Sequence, residues 1–167
     1  MITKTIQLYT IDELSPKARE RALNDWRECD NLPFLSDTIE DQIREDLKKE
    51  GVEILKNFKA HYSLSWCQGD GVMFEGVFRW KRYIVSVKHA GHYYHENSKE
   101  ITMETEDGES VPEKVEEEFN DLYVDVCKAA AKAGYSEIEY QQADATIIEC
   151  MNVNKITFRE DGRIENK

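Results

Sequence analysis

Apolar residues recur along this chain at two different periods. In the first third they fall four apart. Ala18, Ala22 and Trp26 form one stripe with Leu23 beside it, the mark of an amphipathic helix. Ser15 is a good N-cap and Pro16 suits the first helical position, where a missing N–H costs nothing. This helix is expected to end near Glu28. Ile39, Ile43 and Leu47 trace a second helix. Ser36 is its candidate cap, Asp37, Glu40 and Asp41 suit the positive end of its dipole, and Gly51 is its stop. Ahead of both, Ile2 to Tyr9 reads as a strand with Ile2, Ile6 and Leu8 on one face.

The middle of the chain alternates. Tyr62, Leu64 and Trp66 alternate with polar residues over His61 to Trp66. Val72, Phe74, Phe78 and Trp80 alternate with Met73, Glu75, Val77 and Arg79 over Val72 to Trp80, and Tyr83, Val85 and Val87 continue the pattern. Period two over three consecutive segments predicts an antiparallel meander. Gln68-Gly69-Asp70-Gly71 is the turn between the first two segments. Gly76 inside the second implies a bulge or a close approach.

Period four then returns. A long helix is expected from Ser110 or Pro112, with Val115, Phe119, Leu122, Val126 and Ala129 or Ala130 on its buried stripe and Gly134 at its end. Gln141 to Met151 is a further helix. Ile156 to Phe158 is a last strand, followed by an Asp161-Gly162 turn. The fold class predicted is α+β: an antiparallel sheet with a central meander, packed against several helices, in one domain over residues 1–167.

Charge narrows the choice of partner. The net charge is -12 and the pI about 4.8. Phosphate backbones repel such a surface, so direct nucleic-acid binding is disfavoured, and so is an anionic membrane surface. A protein with a basic surface is the natural partner, because opposite fields speed the encounter. The stretch Glu96 to Asp121 holds eleven acidic residues and two lysines. Its first half is a loop around Glu106-Asp107-Gly108-Glu109. Glu104, Glu106, Asp107, Glu109, Glu113, Glu116 and Glu117 are the candidate partner-binding surface, carboxylates that can imitate DNA phosphates in a basic groove. The plain alternative is a solvated loop and the wet face of a helix.

Cys29, Cys67, Cys127 and Cys150 are widely spaced, with no C-x-x-C pair, so neither a disulfide framework nor a cysteine-only zinc site is expected. A reducing compartment fits. Met1 to Thr10 is short and polar for a signal peptide, and no apolar run approaches the ~20 residues of a membrane span.

Two segments carry candidate chemistry. In Trp66-Cys67-Gln68-Gly69-Asp70-Gly71, free backbone N–H groups and one carboxylate could cradle an anion or ligate a metal, although a hairpin turn explains the composition fully. In His89-Ala-Gly-His92-Tyr93-Tyr94-His95-Glu96, three imidazoles within seven residues have the donor set for zinc. On a strand, however, His89 and His95 point to one face and His92 to the other, so convergence needs a bend at Gly91. No cofactor is expected otherwise. Taken together, Trp66, Tyr93 and Tyr94 offer flat faces, and Gln68, Asp70, His92 and His95 offer polar ones. That mixture suits a nucleotide or other small ligand, bound or transformed with a metal's help. Cys67 with a neighbouring histidine is the only candidate nucleophilic dyad.

Four separated segments also resemble a known family in their order. They are Tyr9-Thr-Ile-Asp-Glu-Leu-Ser15 with Ala22 to Trp26, Tyr62 through Gln68-Gly-Asp-Gly71 to Gly76, His92-Tyr-Tyr-His-Glu96, and Phe158-Arg-Glu-Asp-Gly-Arg163. The chain resembles a family of small acidic accessory proteins carried by bacteriophages and prophages, sometimes loosely described as antitoxins. The resemblance implies expression in the cytoplasm of a bacterial host and assigns no activity to particular residues. By analogy of setting, such proteins bind and block host machinery, including nucleic-acid-handling defence complexes such as CRISPR effectors. The leading expectation is therefore a counter-defence inhibitor that binds a host protein and is not an enzyme. The alternative is the ligand or metal site at the hairpin.

Overall fold

The computed structural model describes residues 5–29 and 32–166. In chain order it has a 3-10 turn (Ile11–Glu13), α1 (Pro16–Arg27), α2 (Leu35–Lys49), β1 (Val52–Ser63), β2 (Gly71–Trp80), β3 (Tyr83–His89), β4 (Lys99–Thr105), α3 (Glu113–Gln142), α4 (Asp144–Val153), β5 (Thr157–Phe158) and β6 (Ile164–Asn166). The fold is α+β. The chain forms two compact units, Phe34–Glu137 and the remainder from both ends.

The Phe34–Glu137 unit is built on an antiparallel meander of order β1-β2-β3-β4. Val72, Phe74, Phe78 and Trp80 of β2 and Tyr83, Val85 and Val87 of β3 are buried on one face. Ile39, Ile43 and Leu47 of α2, and Phe119, Tyr123 and Cys127 of α3, are buried in the same unit. The Phe119 ring lies 5.3 Å from Trp80, and the Tyr123 ring 4.4 Å from Phe74. Tyr123 also fastens the helix to the sheet backbone. Its hydroxyl donates to the Phe74 carbonyl and accepts from the Phe74 N–H, both at 2.9 Å. Burial pushes its pKa far up, so the hydroxyl stays protonated.

Several expectations need correction. Ser36 does not cap α2. The helix starts at Leu35, with Phe34 at the cap position, and the Ser36 hydroxyl pairs with Tyr62 Oη at 2.8 Å. β1 is longer than predicted at its start and ends at Ser63, so Leu64 and Trp66 are not strand. Its first half is hidden in sequence because its register shifts between Ile54/Lys56 and Lys56/Lys59. Asn57 there has φ 57°. The irregularity faces Gly76, where a Cβ would stand 3.2 Å from the Lys56 carbonyl and 3.2 Å from Phe58 Cα. The close approach that Gly76 implies is thus present, and the irregularity itself is in the neighbouring strand.

β4 lies inside the acidic stretch, where only Ile101 and Met103 alternate and the sequence predicts a loop. Gly134 does not end α3 but sits buried within it. A Cβ there would lie 2.5 Å from Leu64 Cδ1 and 3.1 Å from Ile39 Cδ1. Close packing therefore outweighs the ~1 kcal/mol helix penalty of glycine.

In the second unit, Ile11, Leu14, Ala18, Ala22 and Leu23 form one core with Ile147, Met151, Ile156 and Phe158. Ser15 Oγ accepts from the Ala18 N–H at 3.3 Å with Pro16 at the first position, as predicted for α1. Of the strand expected at Ile2 to Tyr9, residues 1–4 lie outside the described residues and 5–8 form no strand. Tyr9 makes a single bridge to Phe158. Asp161-Gly162 does turn the chain between β5 and β6, and Arg163 Nε donates to Asp161 at 2.7 Å. Among the described residues, no helix is long and apolar enough to cross a membrane.

Candidate functional site

The Asp70 loop is made by its own carboxylate. Asp70 Oδ2 accepts from the Ser65 N–H at 2.6 Å, the Cys67 N–H at 2.9 Å and Tyr135 Oη at 2.9 Å. Oδ1 accepts from the hydroxyls of Ser63 and Ser65, both at 3.2 Å. Partial burial opposes ionisation, but these donors together hold the carboxyl well below the usual range. Pulling Ser65 and Cys67 inward stops β1 from continuing and puts Trp66 between them at φ 61°. Leu64 reaches Gly134, and the Trp66 ring lies 4.2 Å from Tyr135. The alternation of Tyr62, Leu64 and Trp66 thus reflects, beyond Ser63, a loop laid against α3.

The two predicted segments do meet. A Cβ on Gly69 would lie 3.3 Å from the Tyr93 ring, and one on Gly71 only 2.6 Å from His95 Cβ. His95 Nδ1 accepts from the Asn97 N–H at 3.1 Å. His89 Nε2 pairs with the Tyr93 carbonyl at 3.1 Å. Tyr94 stacks on His61, centroids 5.1 Å apart, and His61 Nε2 pairs with Glu75 Oε1 at 2.9 Å. The other Glu75 oxygen accepts from the His89 N–H at 3.0 Å. Hydrogen bonds from His61 first, then His89, lower the Glu75 pKa.

The segments touch through glycines, rings and backbone, and not through a shared set of free donors. Asp70 is engaged by its loop, while His92 is exposed. Among the described residues, no three of His, Cys, Asp or Glu are placed to hold a metal ion, so His89, His92 and His95 do not converge. Cys67 is exposed, its thiol 3.5 Å from the Ser65 carbonyl, with no histidine partner among the described residues. Gln68 is also exposed. His61, Glu75, Ser63, Ser65 and Tyr135 were not singled out in the sequence. His61, Ser63, Ser65 and Glu75 lie beside the hairpin motif in the chain but carry no signal of their own, whereas Tyr135 is sixty-five residues from Asp70 and only α3 brings it close.

The acidic residues divide in two. Around the β4–α3 loop two of them lie near arginines. Thr105 Oγ1 accepts from the Glu109 N–H at 2.6 Å, Glu106 lies 3.7 Å from Arg79, and Glu109 lies 3.7 Å from Arg82. Glu118 pairs with Lys81 at 2.8 Å, and that ammonium also lies 4.0 Å over the Trp80 ring. Glu104 and Asp107 are exposed.

Glu113, Glu116 and Glu117 behave differently. With Asp121 they line one wall of a groove of about 610 Å³, whose other wall is Ile101 and Met103 of β4. Among the described residues, none of these four carboxylates has an ion-pair partner within 4.0 Å. Lys99 also lines the groove, but its ammonium lies 5.3 Å over the Tyr123 ring, and burial lowers its pKa. The groove therefore pairs a strand face of Lys99, Ile101 and Met103 with an anionic helix face whose carboxylates make no ion pair within 4.0 Å among the described residues. Comparisons of the chain with protein-family models, with curated proteins and with solved structures found no match.

Proposed function

We propose that this protein works by binding another protein, and that the contact is made in the groove between β4 and the start of α3. The observation that carries the reading is the contrast among its carboxylates. Glu106 and Glu109 have arginine partners, whereas, among the described residues, Glu113, Glu116, Glu117 and Asp121 have none and flank half-buried Ile101 and Met103. Anionic groups clustered beside apolar surface recognise a basic partner. The charges steer and orient it, and the apolar floor supplies contact area. The net charge of -12 extends that attraction beyond the groove.

Within the bacteriophage setting that the resemblance implies, the partner is a host protein with a basic surface. A nucleic-acid-handling defence complex is the class this charge pattern fits best, with the groove carboxylates standing where phosphates would bind. The protein acts there as an inhibitor by occupancy.

The test is capture of partners from the bacterial host by tagged protein. Glu113→Lys/Glu117→Lys is compared with a control, Glu149→Lys/Glu160→Lys, that changes the net charge equally. Loss of one stoichiometric, salt-sensitive protein with the groove variant alone supports the reading. Equal capture by all three proteins refutes it.

A further inference from the structure

The groove has a second property that charge alone does not explain, which is its open strand edge. Among the described residues, β4 pairs only with β3, so its other side presents a row of backbone N–H and C=O groups. The pairing with β3 is regular, running from Tyr83↔Thr105 to His89↔Lys99 without a register shift. The opposite edge of the sheet is different. β1 shifts register twice and carries Asn57 at φ 57°, the bulging that spoils an edge as a template. Of the two edges, β4 is the one that is regular along its whole length.

The acidic wall matches the repeat of such a strand. Glu113, Glu117 and Asp121 stand four residues apart along α3, a rise of about 6 Å per step. Alternate residues of an extended chain, which share one face, lie about 6.8 Å apart. Lys99, Ile101 and Met103, the alternate residues of β4 in the groove, run alongside the helix over a similar length. Cations at every second position of an added strand would therefore meet successive carboxylates.

We propose that β4 is a docking edge for an extended basic segment of the partner protein, which joins the sheet as a fifth strand with Lys or Arg at alternate positions toward Glu113, Glu117 and Asp121. Backbone hydrogen bonds hold the segment and the alternate cations select it. This rests on the protein-binding reading above and adds the conformation and pattern of what is bound.

The probe is a blocked, fluorophore-tagged peptide of alternating Lys and Val, titrated by anisotropy. Two further versions carry N-methyl groups on the Lys amides only or on the Val amides only. In a strand, amides of one parity face the neighbour and those of the other face away. One version should lose affinity by about tenfold or more, the equivalent of ~1.4 kcal/mol, and the other should bind like the parent. Amide exchange should slow at alternate residues within Lys99–Thr105.

Equal affinity or equal loss in both methylated versions overturns strand addition. If such binding still disappears in the folded Glu113→Lys/Glu117→Lys variant, the acidic-groove reading survives. If the parent peptide does not bind at all, strand addition is overturned, and partner capture alone then decides the protein-binding reading.

Discussion

Replacing Asp70 by Asn tests whether one carboxylate shapes the loop between β1 and β2. The amide can keep its oxygen at the Oδ2 position, where it still accepts from the Ser65 N–H, the Cys67 N–H and Tyr135 Oη. Its nitrogen then faces the hydroxyls of Ser63 and Ser65, which can rotate to accept. Geometry is therefore nearly preserved and charge is removed. Hydrogen bonds to an ionised acceptor contribute about 1.5–3 kcal/mol each and neutral ones about 0.5–1.5. Three weakened bonds, discounted for solvent at this half-buried site, place the loss at about 1–2 kcal/mol.

Urea unfolding at neutral pH should show that loss, and amide exchange should quicken at Ser65 and Cys67. The dependence on pH has a fixed sign. Asp70's carboxyl is depressed in the folded state, so its contribution is complete above the unfolded value of about 3.9 and is lost as pH falls below it. The gap between wild type and variant should be steady from neutral pH down to mildly acidic pH, then narrow. Equal stability at neutral pH with unchanged exchange at both amides would refute this account, as would a gap that widens in acid.

Two other predictions concern α3. Tyr123→Phe keeps the ring but removes both hydrogen bonds to Phe74; with the hydroxyl buried, urea unfolding should show a loss of about 1–3 kcal/mol, and a loss under half of that would contradict its role as a fastener. Burial pushes the Cys127 thiol up to about 12, so a thiol reagent at neutral pH should label the exposed Cys29 and Cys67 in the native protein and reach Cys127 only on unfolding. Mass mapping of the labelled peptides reads this directly, and rapid native labelling of Cys127 would contradict it.

What was legible in the sequence followed from local patterning. Ser15-Pro16 and the fourfold spacing of Ala18, Ala22 and Trp26 need no tertiary information, and α1 begins as they require. The alternation is clear in β3 and in the second half of β2, where one face is buried and the other is not, while Met73 in the first half of β2 is buried too. The start of β1 escaped because its bulge breaks the period opposite Gly76. β4 escaped because only two apolar residues alternate among charges. Gly134 misled because an internal glycine needed for close packing has the same composition signal as a helix stop.

The site divides the same way. Asp70 stood out as a carboxylate between glycines, but Tyr135, sixty-five residues away, could not be identified as its partner from spacing. Glu113, Glu116 and Glu117 stood out as part of a charge run. Only the fold distinguishes them from Glu106 and Glu109, by giving the latter arginines and the former an apolar neighbour.

The central claim is that the β4–α3 groove binds a basic partner protein. Its most direct measurement is the affinity of the captured partner for wild type and for Glu113→Gln/Glu116→Gln/Glu117→Gln/Asp121→Asn, across about 50–500 mM salt, where screening lengths shrink from beyond the groove to within it. Wild-type affinity should fall steeply with salt, and the neutralised variant should bind more weakly with a flatter dependence. Identical affinity and identical salt dependence for the two proteins would contradict the claim.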